Sequence, residues 1–337
     1  MGEPLRIGVL GAARITPMAL LRPAREILDV TVSAVAARDP ERARAFAARH
    51  RVPQVRDSYD ALIDDPELDA IYNPLPNSLH CEWTIRALRA GKHVLCEKPM
   101  ASNAEEAERM AAAAQESGRV LMEAFHWRYH PLAARMKEIL ASGDLGEIRH
   151  LEAHLCIPLP FPRDIRYRWD LAGGAAMDTG CYTVNIVRHL AEAEPEVVSA
   201  RAWLSAPQVD RRMEGELRFA DGRTGRIVCS LFSKTLLRVE ARVRGTRGEM
   251  RVLNPLAPQL YHRLTVRGPE GKRVERVPGD ATYTHQLRAF VDAVRNGTQV
   301  PTDPSDAVAN MRVIDALYRA AGLAPRGTPV AEPAAIE

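Results

Sequence analysis

No Cys-X-X-Cys pair occurs in this sequence, and its cysteines (Cys81, Cys96, Cys156, Cys181 and Cys229) are odd in number. That argues against a disulfide framework and against a thiolate zinc site, and it is what a reducing compartment tolerates. No run of about 18 uncharged apolar residues is present, so no segment is expected to span a bilayer. The opening MGEPLRIGVLGAA lacks a basic stretch followed by a cleavage site, and it lacks the Ser or Thr of a myristoylation motif. A cytoplasmic protein is therefore expected. Neither sign of charge dominates: 46 basic against 43 acidic residues leave a net +3. No basic run is interleaved with aromatics, so nucleic acid is not an expected partner.

What is present is an ordinary globular balance, 46% hydrophobic and 26% charged over 337 residues, enough for two cores. In the first third, short apolar runs (6–10, 31–36, 70–73, 93–96 and 120–124) alternate with helical patterns. Asp39-Pro40 opens one helix, residues 79–89 carry a second closed by Gly91, and 103–117 a third closed by Gly118. Strand–helix alternation at this spacing predicts a doubly wound parallel sheet. After Pro131 the rhythm changes. A helix over 132–141, a strand over 148–157, a proline-rich loop and a helix within 173–190 come first. Strands then follow one another over 197–204, 212–219, 224–231, 238–245, 249–253, 260–266 and 273–277. Short turns between strands predict an open, mostly antiparallel sheet in an α+β domain. Helices over 283–296 and 305–321 close the chain, and the last fifteen residues read as frayed. The expected division is 1–126 and 127–337.

A strand running into Gly11-Ala12-Ala13-Arg14-Ile15-Thr16 has the form of a dinucleotide turn, which sets backbone N–H groups against a pyrophosphate. Only Gly11 fits the glycine pattern; Ala13 and Thr16 take the other two places. The second strand ends at Ala37-Arg38-Asp39. An acid there binds the ribose hydroxyls of NAD, whereas an arginine accommodates the 2′-phosphate of NADP. Asp39 also suits the N-cap of the helix at Pro40, which leaves Arg38 for the phosphate and predicts NADP, with NAD as the alternative.

Two further segments are more specific. Asn73-Pro74-Leu75-Pro76-Asn77-Ser78-Leu79-His80 precedes Cys96-Glu97-Lys98-Pro99, and Gly173-Gly174 leads to Asp178-Thr179-Gly180-Cys181-Tyr182-Thr183-Val184-Asn185. Together these resemble the glucose–fructose oxidoreductase/inositol dehydrogenase/rhizopine-catabolism (Gfo/Idh/MocA) family, along essentially the whole chain. Tyr182 stands where many relatives carry His. With Phe125-His126-Trp127-Arg128-Tyr129-His130-Pro131, it resembles the branch of glucose–fructose oxidoreductase, xylose dehydrogenase and dimeric dihydrodiol dehydrogenase.

The resemblance implies a hydride transfer between a nicotinamide and a secondary alcohol or ketone of a sugar or sugar-like ring. It implies cofactor contacts from Gly11 to Ile15, Ala37, Arg38, Pro74 to Asn77, His80, Glu97, Lys98, Trp127 and Arg128. Substrate contacts are implied at Lys98, Tyr129, His154, Arg166, Trp169, Asp178 and Tyr182, with no metal. The Lys98–Pro99 bond is expected to be cis, and the outer face of the second sheet to make a homodimer or homotetramer. The chemistry suits the residues: Tyr182 transfers the proton, Lys98 favours its phenolate and holds the substrate oxygen, and Asp178, at i, i+4 from Tyr182, orients them. Reduction of a nucleotide-linked or glycosidic keto-sugar is the alternative chemistry, and a silent NADP sensor the alternative class.

Overall fold

The apolar runs of the first third do become buried parallel strands. A computed structural model describes residues 3–328. Its first part runs β1 (Leu5–Leu10), α1 (Arg22–Glu26), β2 (Val30–Ala36), α2 (Pro40–His50), β3 (Gln54–Arg56), α3 (Tyr59–Ile63), β4 (Ala70–Asn73), α4 (His80–Arg89), β5 (His93–Cys96), α5 (Ala104–Ser117) and β6 (Leu121–Glu123). The six strands pair in parallel in the order β3-β2-β1-β4-β5-β6. Strand order reverses between β1 and β4, and the carboxyl ends of strands at such a reversal open the ligand crevice of doubly wound sheets. The β3–α3 unit was not read from the sequence: three and five residues are too short to show a period.

The second part runs α6 (Pro131–Ala141), β7 (Ile148–Cys156), α7 (Cys181–Ala191), β8 (Glu196–Ala206), β9 (Val209–Arg218), β10 (Thr224–Ser230), β11 (Arg238–Gly245), β12 (Glu249–Leu253), β13 (Arg263–Gly268), β14 (Gly271–Glu275), α8 (Thr282–Asn296) and α9 (Pro304–Ala320). The eight strands form one open sheet, antiparallel except where β10 runs parallel to β7. The strand expected over 260–266 begins only at Arg263. The Asn254 side-chain amide donates to the carbonyls of Ala257 (2.9 Å) and Tyr261 (2.6 Å) and winds the preceding residues into a loop. The helix expected within 173–190 starts as a wide turn of π type over Ala176–Gly180 before α7.

Helix α8 packs across the division at 126. Tyr283, Leu287, Phe290 and Val291 share a buried cluster with Ile7, Val9, Tyr72 and Leu95 of the first sheet. We propose the same division into 1–126 and 127–337, with α8 returning to cover the nucleotide-binding sheet.

Residues 323–328, expected to fray, do not. Arg326 is fully buried: its guanidinium donates to Asp210 Oδ1 (2.7 Å) and to the carbonyl of Gly173 (2.5 Å), and lies over the Trp169 ring. The rest of the expected frayed tail lies outside the described residues. Asp210 also accepts from Tyr318 OH and the Ala176 N–H, so this ion pair pins the turn that leads into α7. The turn admits only glycine: a Cβ on Gly173 would sit 2.6 Å from the Arg166 carbonyl, and Gly174 has φ +138°. Removing one partner strands a buried charge, so Arg326→Ala should lower the unfolding free energy by about 3–5 kcal/mol in urea denaturation. A loss within about 0.5 kcal/mol, the usual size of a surface substitution, would show that the pair is dispensable.

Candidate active site

A cleft of about 1520 Å³ runs from the β1 and β2 ends to α7. At one end the chain turns at Gly11, whose N–H donates to the Ala36 carbonyl (2.6 Å) and whose φ is +79°. A Cβ there would meet Leu75 at 3.0 Å and crowd the cradle between the two loops. Ala12, Ala13, Arg14 and Ile15 continue along the wall, and Ala37, Arg38 and Arg42 close the end of it. Asp39 also lines this end, but its Oδ1 caps α2, accepting from the N–H groups of Glu41 (3.0 Å) and Arg42 (3.4 Å). Arg38 and Arg42 are exposed and make no ion pair among the described residues. A glycine cradle, with two free guanidinium groups beyond the second strand, fits a dinucleotide bearing an extra phosphate.

The middle of the cleft is lined by Pro74, Leu75, Pro76, Asn77, His80 and Glu97. His80, whose pKa burial lowers to about 4, is a neutral ring lying between the carbonyls of Leu75 (2.7 Å) and Pro99 (2.9 Å), and its single N–H donates to one of them. Glu97 accepts from the buried Tyr72 hydroxyl at 2.7 Å, and burial raises its pKa. The Lys98–Pro99 bond is cis.

At the far end the two halves of the chain meet. Lys98 Nζ donates to Asp178 Oδ1 (3.1 Å) and to the Asp178 carbonyl (3.0 Å), while Arg166 Nε holds Asp178 Oδ2 at 2.9 Å. Burial opposes the charge on Lys98, but the carboxylate of Asp178 outweighs it and keeps the ammonium above its ordinary pKa. Burial likewise opposes the carboxylate, yet Lys98 and then Arg166 hold it below the usual range. The same ammonium lies 4.7 Å above the centre of the Tyr182 ring.

Lys98 was expected to favour a Tyr182 phenolate, and the structure corrects that. The ammonium faces the ring rather than the hydroxyl, and its charge is directed at Asp178. Burial, and after it the Glu97 carboxylate, push the phenol well above its ordinary pKa. These surroundings favour the neutral form of the Tyr182 phenol.

Residues 5–125 match an oxidoreductase family with an NAD-binding Rossmann fold, GFO_IDH_MocA, and residues 133–251 match the C-terminal domain of the same family. The chain belongs to the Gfo/Idh/MocA oxidoreductase family. It is 36% identical to D-xylose 1-dehydrogenase (NADP(+)) 2 of Haloferax volcanii, over 94% of this chain and 97% of that protein. It is 33% identical to dTDP-3,4-didehydro-2,6-dideoxy-alpha-D-glucose 3-reductase of Actinomadura kijaniata, over 94% and 95%. A solved 3-ketoreductase from Actinomadura kijaniata, in complex with NADP and TDP-benzene, matches with TM-score 0.87 at 31% identity over 94% and 98%. Variants of that enzyme with a lysine changed to alanine or a tyrosine to phenylalanine match equally well (TM-scores 0.85 and 0.88).

Not every residue singled out by the Gfo/Idh/MocA resemblance reaches the cleft. Trp127 is wholly buried against His189, and Arg128 turns to Asp306 (3.4 Å) and the Pro301 carbonyl (3.2 Å). The Tyr129 hydroxyl is engaged by Thr302 at 2.6 Å. His154 sits on β7 next to Leu155, which does line the cleft; alternation sends His154 to the opposite face, where Nε2 meets Glu152 at 2.5 Å. Trp169 lies under Arg326. Conversely, Tyr283, Arg42 and the loop residues Phe161 and Arg163 line the cleft without having been singled out. Nothing local marks Tyr283, which arrives on a helix nearly two hundred residues after Lys98.

The Asp178 contribution to stability is fully present above its ordinary pKa of 3.8 and fades as pH falls through its lowered folded value. That of Lys98 is present below 10.5 and fades only as pH rises through its raised value. The difference in unfolding free energy between wild type and Asp178→Asn should therefore be flat from about pH 5 to about pH 9 and shrink in acid below that window. Urea denaturation across this range checks it, and a slope through neutrality would show that the pair titrates there.

Proposed function

We propose that the protein transfers a hydride between NADP and a secondary alcohol or ketone of a sugar or sugar-like ring. One observation carries the reading. Lys98 and Tyr182, from two separate motifs on opposite walls, meet at 4.7 Å in the same cleft as the Gly11 turn and Arg38. In the 3-ketoreductase relative, the lysine and tyrosine that were varied stand the same number of positions apart as Lys98 and Tyr182. NADP, when bound, supplies or accepts the hydride.

The chain's own groups do the rest. Gly11 to Ile15 hold the pyrophosphate, and Arg38, with Arg42 beside it, reads the 2′-phosphate. Lys98 donates to the substrate oxygen, and Tyr182 exchanges the proton with it. Asp178 and Arg166 orient Lys98. Reduction of a keto-sugar is the activity printed for the dTDP-sugar relatives, which supports that direction here. The five cysteines are buried and unpaired, which supports a reducing, cytoplasmic setting. The outer face of the second sheet is the proposed subunit contact.

Lys98→Ala and Tyr182→Phe should each lower kcat by about 10²-fold or more in an NADP-linked assay over a panel of aldoses, polyols and keto-sugars. NADP affinity should survive in Tyr182→Phe. Arg38→Ala should erase most of the preference for NADP over NAD in kcat/KM. Full turnover in Tyr182→Phe would overturn the proton assignment. Cofactor fluorescence on binding with no turnover across the panel would instead favour a sensor.

A further inference from the structure

His126 is absent from the lining of the cleft, yet its Nε2 lies 3.1 Å from the Tyr182 hydroxyl. Its Nδ1 lies 2.8 Å from the hydroxyl oxygen of Thr282, the first residue of α8. All three side chains are buried, and the imidazole packs against the Tyr283 ring with centroids 4.1 Å apart. Burial, with repulsion from Lys98 second, pushes the His126 pKa down to about 3. The ring is therefore neutral near pH 7 and carries one N–H, so the chain of three groups has two possible arrangements.

In one arrangement the hydrogen is on Nδ1 and points at Thr282, and Nε2 accepts from Tyr182. The phenolic hydrogen then faces away from the substrate. The Thr282 hydroxyl hydrogen has no acceptor, since Thr282 Oγ1 has no other partner among the described residues. In the other, Thr282 donates to Nδ1, Nε2–H donates to the phenolic oxygen, and the hydrogen of Tyr182 is free to enter the cleft. Each arrangement leaves one hydrogen without a protein partner, but in the second it belongs to Tyr182, which lines the cleft, and not to Thr282, which is sealed in the interior where an unmet donor is disfavoured.

We infer that Thr282 and His126 form a tautomer lock that aims the phenolic hydrogen of Tyr182 at the substrate oxygen, with His126 as a positioning residue for ketone reduction. This rests on the assignment of Tyr182 as the proton donor. In the step, the Tyr182 O–H bond breaks and its proton forms a new O–H bond on the ketone oxygen, as the carbonyl carbon takes the hydride from reduced NADP. The phenolate left behind accepts from His126 Nε2–H, a bond that strengthens as the charge appears. The phenolate regains its proton from solvent through the open cleft. His126 itself never changes protonation, in keeping with its low pKa.

The lock is visible without a substrate. Long-range proton–nitrogen NMR of protein labelled with ¹⁵N-histidine should show His126 with hydrogen on Nε2 and a bare Nδ1, and Thr282→Val should shift population toward the Nδ1–H form. A wild-type ring protonated on Nδ1 overturns the inference, whatever the stability of any variant. In steady-state ketone reduction, His126→Leu should lower kcat about tenfold or more. His126→Gln, whose amide nitrogen takes the place of Nε2, should recover most of it. On a Tyr182→Phe background, His126→Leu should add nothing, because His126 acts through the phenol. An impaired Tyr182→Phe beside a fully active His126→Leu would defeat the lock alone. A fully active Tyr182→Phe would defeat the proton assignment beneath it.

Discussion

Lys98 and Asp178 are eighty positions apart, lie on opposite walls of the cleft and are largely buried against each other, with the partly exposed Arg166 on the second carboxylate oxygen. Neither charge is tolerable alone at that depth. Their pairing therefore ties the strand end that carries the dinucleotide loops to the turn that opens α7. Three consequences follow from this one contact. The ammonium is held charged, the carboxylate is held ionised, and the Tyr182 ring is placed under Lys98 rather than beside it. The last of these decides the character of the phenol, which is left in a buried, anion-rich surrounding and stays protonated.

The contact is sustained from behind by groups that touch no substrate. Asp210, Arg326 and Tyr318 form a fully buried polar cluster against the Gly173-Gly174 turn, where the absence of side chains lets the backbones of 166–168 approach. On the other wall, the buried His80 ring packs between the Leu75 and Pro99 carbonyls, where the lysine-bearing loop meets the one before it. Helix α8 then returns from the far end of the chain to cover the first sheet. In doing so it delivers Thr282 and Tyr283 to the back of the tyrosine. A site this dependent on distant segments holds its geometry through the packing of both halves, which is how reacting groups are kept within the narrow tolerances catalysis needs.

Charge along the cleft is graded by burial. Arg38 and Arg42 are exposed and without an ion pair among the described residues at the Gly11 end, suited to a diffusible polyanion. Lys98 at the chemical end is buried and already matched by a carboxylate, suited to a neutral oxygen on which charge develops transiently. Positive charge is thus open to solvent at one end and matched by a carboxylate at the other.

Local sequence determined a good deal here. The 2.0- and 3.6-residue periods and the turn residues between them marked both sheets and most helices, because the burial of one face is a local demand. The Gly11 turn, the Asp39 cap and Arg38 were legible from local turn and capping chemistry, whereas Lys98, Asp178 and Tyr182 were singled out by the resemblance of their motifs to the family. Tertiary structure alone decided which neighbours those groups meet. His154 fell to the wrong face of its strand, and Trp127, Arg128 and Tyr129 were claimed by Asp306, Thr302 and the core. Arg326 was drawn from an apparently frayed tail into the interior. Tyr283 and Thr282 reached the site only through the return of α8. The phenol was kept neutral by its surroundings rather than ionised by its nearest cation. Each of these rests on contacts between residues far apart in the chain, and electrostatics in a buried site depends on distances that no local pattern encodes.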